Sequence, residues 1–196
     1  MKTFDHLLDT LNAAAPEDKA EIEALIRKSF QVQRTALVLD MTDFSISVRR
    51  TGILAHLALI RRMQVLCHPP VARAGGEVVK HDADNVFAVF PTAAQALQAA
   101  EEIQRQLAGR GLETADGRSV GASIGIDSGD ILLIRETDFF GDAVNIAAKL
   151  GEDLAGRGEI LLSARAYEEA GRPADYEAVE YAVSGMPLAV WRRRFD

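Results

Sequence analysis

Apolar positions along the chain change their period several times, and each change marks an element. Phe4, Leu7, Leu8 and Leu11 recur at helical spacing until Pro16 interrupts, and Ile22, Leu25, Ile26 and Phe30 resume the same period. Pro16 followed by Glu17 and Asp18 suits a first helical turn, where the missing N–H costs nothing and negative charge meets the helix dipole. Residues 1–33 therefore read as two short amphipathic helices, set apart from a domain over 34–196. Three uses stand open for them: packing on that domain, extending a dimer contact, or neither. Ala36-Leu37-Val38-Leu39 is a fully apolar run ending in Asp40, as expected of a buried central strand. Leu57, Ile60 and Met63 fall at helical spacing between Ile53 and Cys67, and Pro69-Pro70 is expected to kink or end that helix. Gly75-Gly76 turns the chain, after which Val78-Val79 and the run from Val86 to Phe90 predict a β-hairpin.

Thr92 and Gln95 form a capping box for a helix that buries Ala96, Ala100, Ile103 and Leu107. Residues 109–117 read as a loop. Val120 to Ile126 and Ile131 to Ile134 predict a second hairpin, turning at Asp127-Ser128-Gly129-Asp130. Residues 141–154 read as a helix and 159–162 as a strand; Ser163 then caps a short helix that Gly171-Arg172-Pro173 stops. Residues 177–183 and 188–193 predict a closing hairpin. The order strand, helix, strand, strand, helix, strand is that of an α+β, two-layer sandwich with a ferredoxin-like core, extended by a C-terminal helix and strands.

Composition narrows the function. The 196 residues are 48% hydrophobic and 26% charged, which fits an ordered globular chain. A net charge of -7 disfavours general nucleic-acid binding, which wants a basic face, but leaves nucleotide chemistry open, because cations can offset local acidity. Cys67 is the only cysteine, so no intramolecular disulfide forms, and it reads as a buried thiol. No apolar run reaches the ~18 residues of a membrane span, and the N-terminus around Asp5 and Asp9 has no signal pattern. A soluble cytoplasmic protein is the expectation.

Candidate chemistry gathers at two places. Asp40 ends an apolar strand and precedes Met41-Thr42-Asp43-Phe44-Ser45, a setting that suits Mg²⁺ bound to phosphates, though helix capping by Asp40 or Asp43 is the plainer alternative. Asp84 is expected to open the outgoing strand of the central hairpin, though Asp82, Asp84 and Asn85 also suit a simple turn. With the hairpin beside the first strand, both carboxylates reach one edge and can hold two divalent ions around a triphosphate. His56, His68 and His81 show no shared metal-ligand spacing, and Glu101-Glu102 reads as a solvated helix face.

These residues resemble, over roughly 34–194, the class III nucleotidyl cyclase catalytic domains. Leu39 to Ser45 matches the family's first metal motif, and Gly75 to Lys80 with Ala83-Asp84 and Ala88 to Phe90 matches its central hairpin. Gly125-Ile126 with Gly129, the block from Asp138 to Leu150, and Gly158 to Ser163 follow in the family's order. The resemblance implies Asp40 and Asp84 as metal ligands, with the Met41 carbonyl, for two Mg²⁺ or Mn²⁺ ions per site. Thr42, Asp43 and Phe44 would form the phosphate-binding loop. It implies Lys80 and Asp138 as base readers. A donor-only Lys suits adenine N1 and an acceptor-only Asp suits its exocyclic amine; guanine presents the opposite pattern. Asn145 would orient the ribose and the reacting phosphate, and Lys149 stands where the family has its transition-state Arg. The family pairs its domains head to tail, so a homodimer is implied in which Asp40 and Asp84 of one copy meet Lys80, Asp138, Asn145 and Lys149 of the other.

Three departures stand out. Ala83 replaces the usual glycine. Lys149 keeps the charge of the family's Arg but not its planar fork. The stretch Val183-Ser184-Gly185-Met186-Pro187 carries no cation where relatives hold terminal phosphates with a Lys. The leading expectation is an adenylate cyclase that takes ATP. The alternative is a regulatory module that kept the fold and lost efficient chemistry. Gly75-Gly76-Glu77 superficially resembles the diguanylate cyclase signature, but Val78-Val79 fits it poorly and the Asp138–Asn145 block has no place there.

Overall fold

The computed structural model describes residues 3–42, 52–115, 117–134, 137–183 and 186–195, with backbone alone for Arg110, Ala182, Val183, Met186 and Pro187. Two helices come first, α1 (Phe4–Ala13), capped by Thr3 accepting from His6 N–H, and α2 (Pro16–Phe30), with Pro16 in its first turn. The chain then passes directly into β1 (Gln31–Thr42), five residues before the apolar run begins. Phe4 binds the pair together and to the domain: its ring lies edge-on to Phe30 at 5.1 Å and stacks on Phe140 at 6.0 Å.

Next come α3 (Ile53–Arg73), the hairpin β2 (Glu77–Asp82) and β3 (Asn85–Phe90), and α4 (Ala93–Arg110), opened by Thr92 accepting from Gln95 N–H at 3.3 Å. α3 does not end at Pro69-Pro70; it continues to Arg73. Both prolines sit near its last turn, where helical φ suits them and only two N–H donors are lost. β4 (Leu112–Glu113) is a short bridge, and β5 (Ser119–Ile134) is one strand of sixteen residues. The second hairpin expected at Asp127-Ser128-Gly129-Asp130 is therefore absent. β5 pairs with β1 without a break from Thr42↔Gly121 to Gln31↔Leu132, and the four polar residues run through its middle. Partners remote in sequence make that possible: Ser128 exchanges a hydroxyl bond with Thr35 at 2.8 Å, and fully buried Asp127 accepts from Arg165 at 2.7 Å and from Ser163. The chain turns back only at β6 (Asp138–Phe140), which pairs with Leu132–Ile134.

β7 (Glu159–Ser163), α6 (Ala164–Glu169), β8 (Glu177–Val183) and β9 (Met186–Arg194) complete the fold after α5 (Asp142–Ala148) and a π-helical turn (Lys149–Leu154). The sheet order is β2-β3-β1-β5-β7-β9-β8, antiparallel except where β5 meets β7. Its first four strands follow the expected ferredoxin-like order. Helices cover both faces. Leu37, Leu39, Phe90, Ile124 and Ile126 pack under α3 and α4 with Met63 and Ile103. The alternate positions Ala36, Val38, Phe87 and Val89 pack under α5 with Phe139, Ala143 and Ala147. By this alternation Asp40 belongs to the α5 face.

Candidate functional site

The end of β1 and the β2–β3 turn bring Asp40 and Asp84 together. Leu39 pairs with Val86 across β1 and β3, so Asp40 stands level with the turn that carries Asp84. The two carboxyls share a hydrogen bond. Burial, that bond, and the charges of Asp84 and Glu152 push Asp40 from 3.8 up to about 7, against a lowering contact from the Met41 backbone. Ala83, at the tip of the turn, has φ +50°, a left-handed conformation that glycine adopts freely and alanine does not. This explains physically why a glycine there is the easier residue.

Glu152, which the sequence reading did not single out, joins this edge. The residues expected to form one helix over 141–154 divide into α5 and the π-helical turn, which drives in against the sheet at two glycines. A methyl group at Gly125 would lie 2.2 Å from the Ala147 carbonyl oxygen, and one at Gly151 would lie 2.5 Å from that of Val38. This close approach delivers Glu152 to the hairpin turn, where Asn85 donates to it at 2.9 Å. Burial and the charges of Asp153, Asp82 and Asp84 raise Glu152 above its ordinary value, with the Asn85 bond acting against them. The nearest sequence signal was the Gly151-Glu152 step after the Asn145–Lys149 block.

Lys80 and Asp138 form the second group. Lys80 Nζ lies 2.8 Å from Asp138 Oδ1 and 5.1 Å from the centre of the Phe87 ring. Asp138 Oδ1 also accepts from Phe139 N–H at 2.8 Å, which fixes the carboxylate. Each side chain is about one-third exposed, so the pair is both ordered and open to a ligand. Asn145 is exposed on α5. Lys149 begins the π-helical turn and pairs with Asp153 at 2.6 Å, not with either group. Thr42 closes β1 opposite Gly121, and its hydroxyl is buried without a hydrogen-bond partner. Asp43, Phe44, Ser184 and Gly185 lie outside the described residues.

The Asp40 and Asp84 carboxylates supply hard oxygen donors, and their mutual repulsion is what a divalent cation relieves; the donor set fits Mg²⁺ or Mn²⁺. Among the described residues no three His, Cys, Asp or Glu side chains are arranged to hold a metal, so the edge is a two-carboxylate site with Glu152 turned to Asn85. The Lys80–Asp138 pair offers one donor and one acceptor side by side, suited to a base edge. No helix among the described residues is long and apolar enough to cross a membrane.

No family model matches the chain. It is 28% identical over 160 residues to a protein of Rhizobium meliloti (strain 1021) named "Putative adenylate cyclase 3", a match covering 79% of this chain and 27% of that protein. The chain thus spans about a quarter of the length of that curated relative. Among solved structures, the adenylate/guanylate cyclase/hydrolase from Silicibacter pomeroyi is 31% identical, with a TM-score of 0.70 over 85% of this chain and 98% of that one. The guanylate cyclase domain of RhGC from Catenaria anguillulae, solved in complex with GTP, is 20% identical and shares the fold, with a TM-score of 0.68 over 83% of this chain and 97% of that one.

Proposed function

The chain belongs to the class III adenylate/guanylate cyclase catalytic-domain family, and from that premise we propose that it is an adenylate cyclase, converting ATP to 3′,5′-cyclic AMP and pyrophosphate in cyclic-nucleotide signalling. The observation that carries the choice of adenine is the Lys80–Asp138 pair at 2.8 Å. Lys80 donates to N1, and Asp138, braced by Phe139 N–H, accepts from the 6-amino group. A guanine in the same place leaves both polar groups mispaired, at about 1–3 kcal/mol each.

Asp40 and Asp84, with the Met41 carbonyl, would hold two divalent cations, Mg²⁺ or Mn²⁺. When bound, these supply Lewis-acid stabilisation of charge on the triphosphate and ease ionisation of the 3′-hydroxyl. Thr42, Asp43 and Phe44 would contribute backbone N–H donors to the phosphates. Asn145 orients the ribose, so that the 3′-oxygen stands in line with the α-phosphorus. The bond from 3′-oxygen to phosphorus forms, the bond from phosphorus to the bridging oxygen breaks, pyrophosphate leaves, and the hydroxyl proton passes to solvent. Lys149, released from Asp153, balances charge on the reacting phosphate.

The family's head-to-tail pairing supports a homodimer with composite sites. In such a pair Asp40 and Asp84 of one copy would meet Lys80, Asp138, Asn145 and Lys149 of the other, and a cytoplasmic setting would supply the ATP. A second reading is favoured by the Lys149–Asp153 bond at 2.6 Å: a weakened cyclase fold that binds nucleotide and regulates a partner. The substrate assignment is tested by Lys80→Glu combined with Asp138→Cys. Preference, measured as the ratio of kcat/KM for ATP and GTP, should move toward GTP by at least tenfold. Unchanged preference would remove these residues from base reading.

A further inference from the structure

On the opposite face of β2 from Lys80, two histidines that are thirteen positions apart meet. His68 is exposed on α3 and His81 is partly buried on β2, and their Nε2 atoms are 3.1 Å apart. The rings are tilted at 46°. His81 Nδ1 is buried, so Nε2 is the nitrogen that an incoming ion can reach. Two imidazole nitrogens on one tetrahedral zinc, each at about 2.0–2.1 Å from the metal, stand about 3.3 Å from each other. The pair is therefore within a few tenths of an ångström of a chelating bite, and a small turn of each ring brings both lone pairs onto one ion.

We propose that His68 and His81 form a two-histidine site for a borderline divalent transition cation such as Zn²⁺, which clamps α3 to the β2–β3 hairpin, with water completing the coordination. The proposal does not depend on the cyclase reading, and its ligands differ in kind from the carboxylates at Asp40 and Asp84. Imidazole favours Zn²⁺, Ni²⁺ and Cu²⁺ over Mg²⁺, whereas a carboxylate edge takes Mg²⁺ and Mn²⁺. Cys67, next to His68, is not a ligand: it is fully buried, and burial pushes its thiol up to about 12. The positive charge of Arg61, which donates to Gln64 at 3.3 Å on the same helix, bears on His81 and moderates affinity for a cation.

The test uses the untagged full chain carrying Asp40→Asn and Asp84→Asn, so that the carboxylate edge does not contribute. Equilibrium dialysis against ZnCl₂ should give one bound ion per chain. Thermal unfolding should show a Tm that rises with Zn²⁺ and with Ni²⁺ but not with Mg²⁺, because an ion bound only to the folded chain stabilises it. His68→Asn, on an exposed helical position, should keep the circular dichroism spectrum and weaken Zn²⁺ at least tenfold; His81→Asn should do the same. No bound ion, equal response to Mg²⁺, or undiminished Zn²⁺ binding in His68→Asn would each overturn the proposal, whether or not His81→Asn folds.

Discussion

Replacing Asp40 with Asn should stabilise the metal-free chain at pH 8 and leave it nearly unchanged near pH 4. Asp40 is half-buried against Asp84, with the charge of Glu152 also acting on it, and its carboxyl is pushed from 3.8 to about 7. For an acid whose folded value is raised, stability is intact below the unfolded value and is lost as pH climbs through the folded one. Each pKa unit is worth about 1.4 kcal/mol, so the full rise corresponds to about 4 kcal/mol. Asp40 is only half-buried, and screening by water reduces this to about 1–2 kcal/mol. Asn has nearly the same shape, carries no charge and can still donate to Asp84. Urea unfolding in chelator, followed by circular dichroism, measures the difference. At pH 8 the variant should gain about 1–2 kcal/mol, or about 2–8 °C in Tm for a chain of this size. Excess Mg²⁺ should reverse the order by stabilising the native chain and not the variant. A variant no more stable than the native chain at pH 8 would refute the crowded-carboxylate reading of this edge.

Ala83→Gly should stabilise by about 0.5–1 kcal/mol, because relief of the left-handed φ of +50° exceeds the added entropy of the unfolded glycine; a loss above about 1 kcal/mol in urea would contradict it. Glu159→Gln should destabilise at pH 7 by about 1–3 kcal/mol. Burial alone would raise Glu159, but Gly156 N–H together with Arg194 and Arg192 outweighs it and holds the carboxyl low. The difference should therefore begin to shrink as pH falls below the ordinary value of 4.5 and vanish below the lowered folded value; a pH-independent difference would refute the charge account. Lys149→Arg should raise kcat by about tenfold with little change in KM, as a planar fork grips a phosphate oxygen that a point charge only balances; unchanged steady-state rates would place Lys149 outside the reaction.

Much of the fold was legible because it is local. The capping box at Thr92, the proline at Pro16 and the alternation through β1 each act within a few residues. What escaped depends on partners far along the chain. Asp127-Ser128-Gly129-Asp130 has the composition of a turn, yet Thr35, Ser163 and Arg165 satisfy its side chains in the middle of β5. Asp40, Asp84, Lys80 and Asp138 were legible as motif positions, and the structure adds their pairing into two groups. Glu152 was not, because its place depends on two glycines letting the π-helical turn approach the sheet. The His68–His81 contact was invisible in spacing, since one residue is on a helix and the other on a strand.

The central claim is most directly tested by product formation. The purified chain at high concentration is given ATP or GTP with Mg²⁺, and separately with Mn²⁺, and cyclic products are quantified beside an Asp40→Ala control. Cyclic AMP from ATP in clear excess over cyclic GMP from GTP, lost in the control, is the expected result. No cyclic product from folded, dimeric protein would contradict catalysis, and would leave the nucleotide-binding regulatory reading in its place.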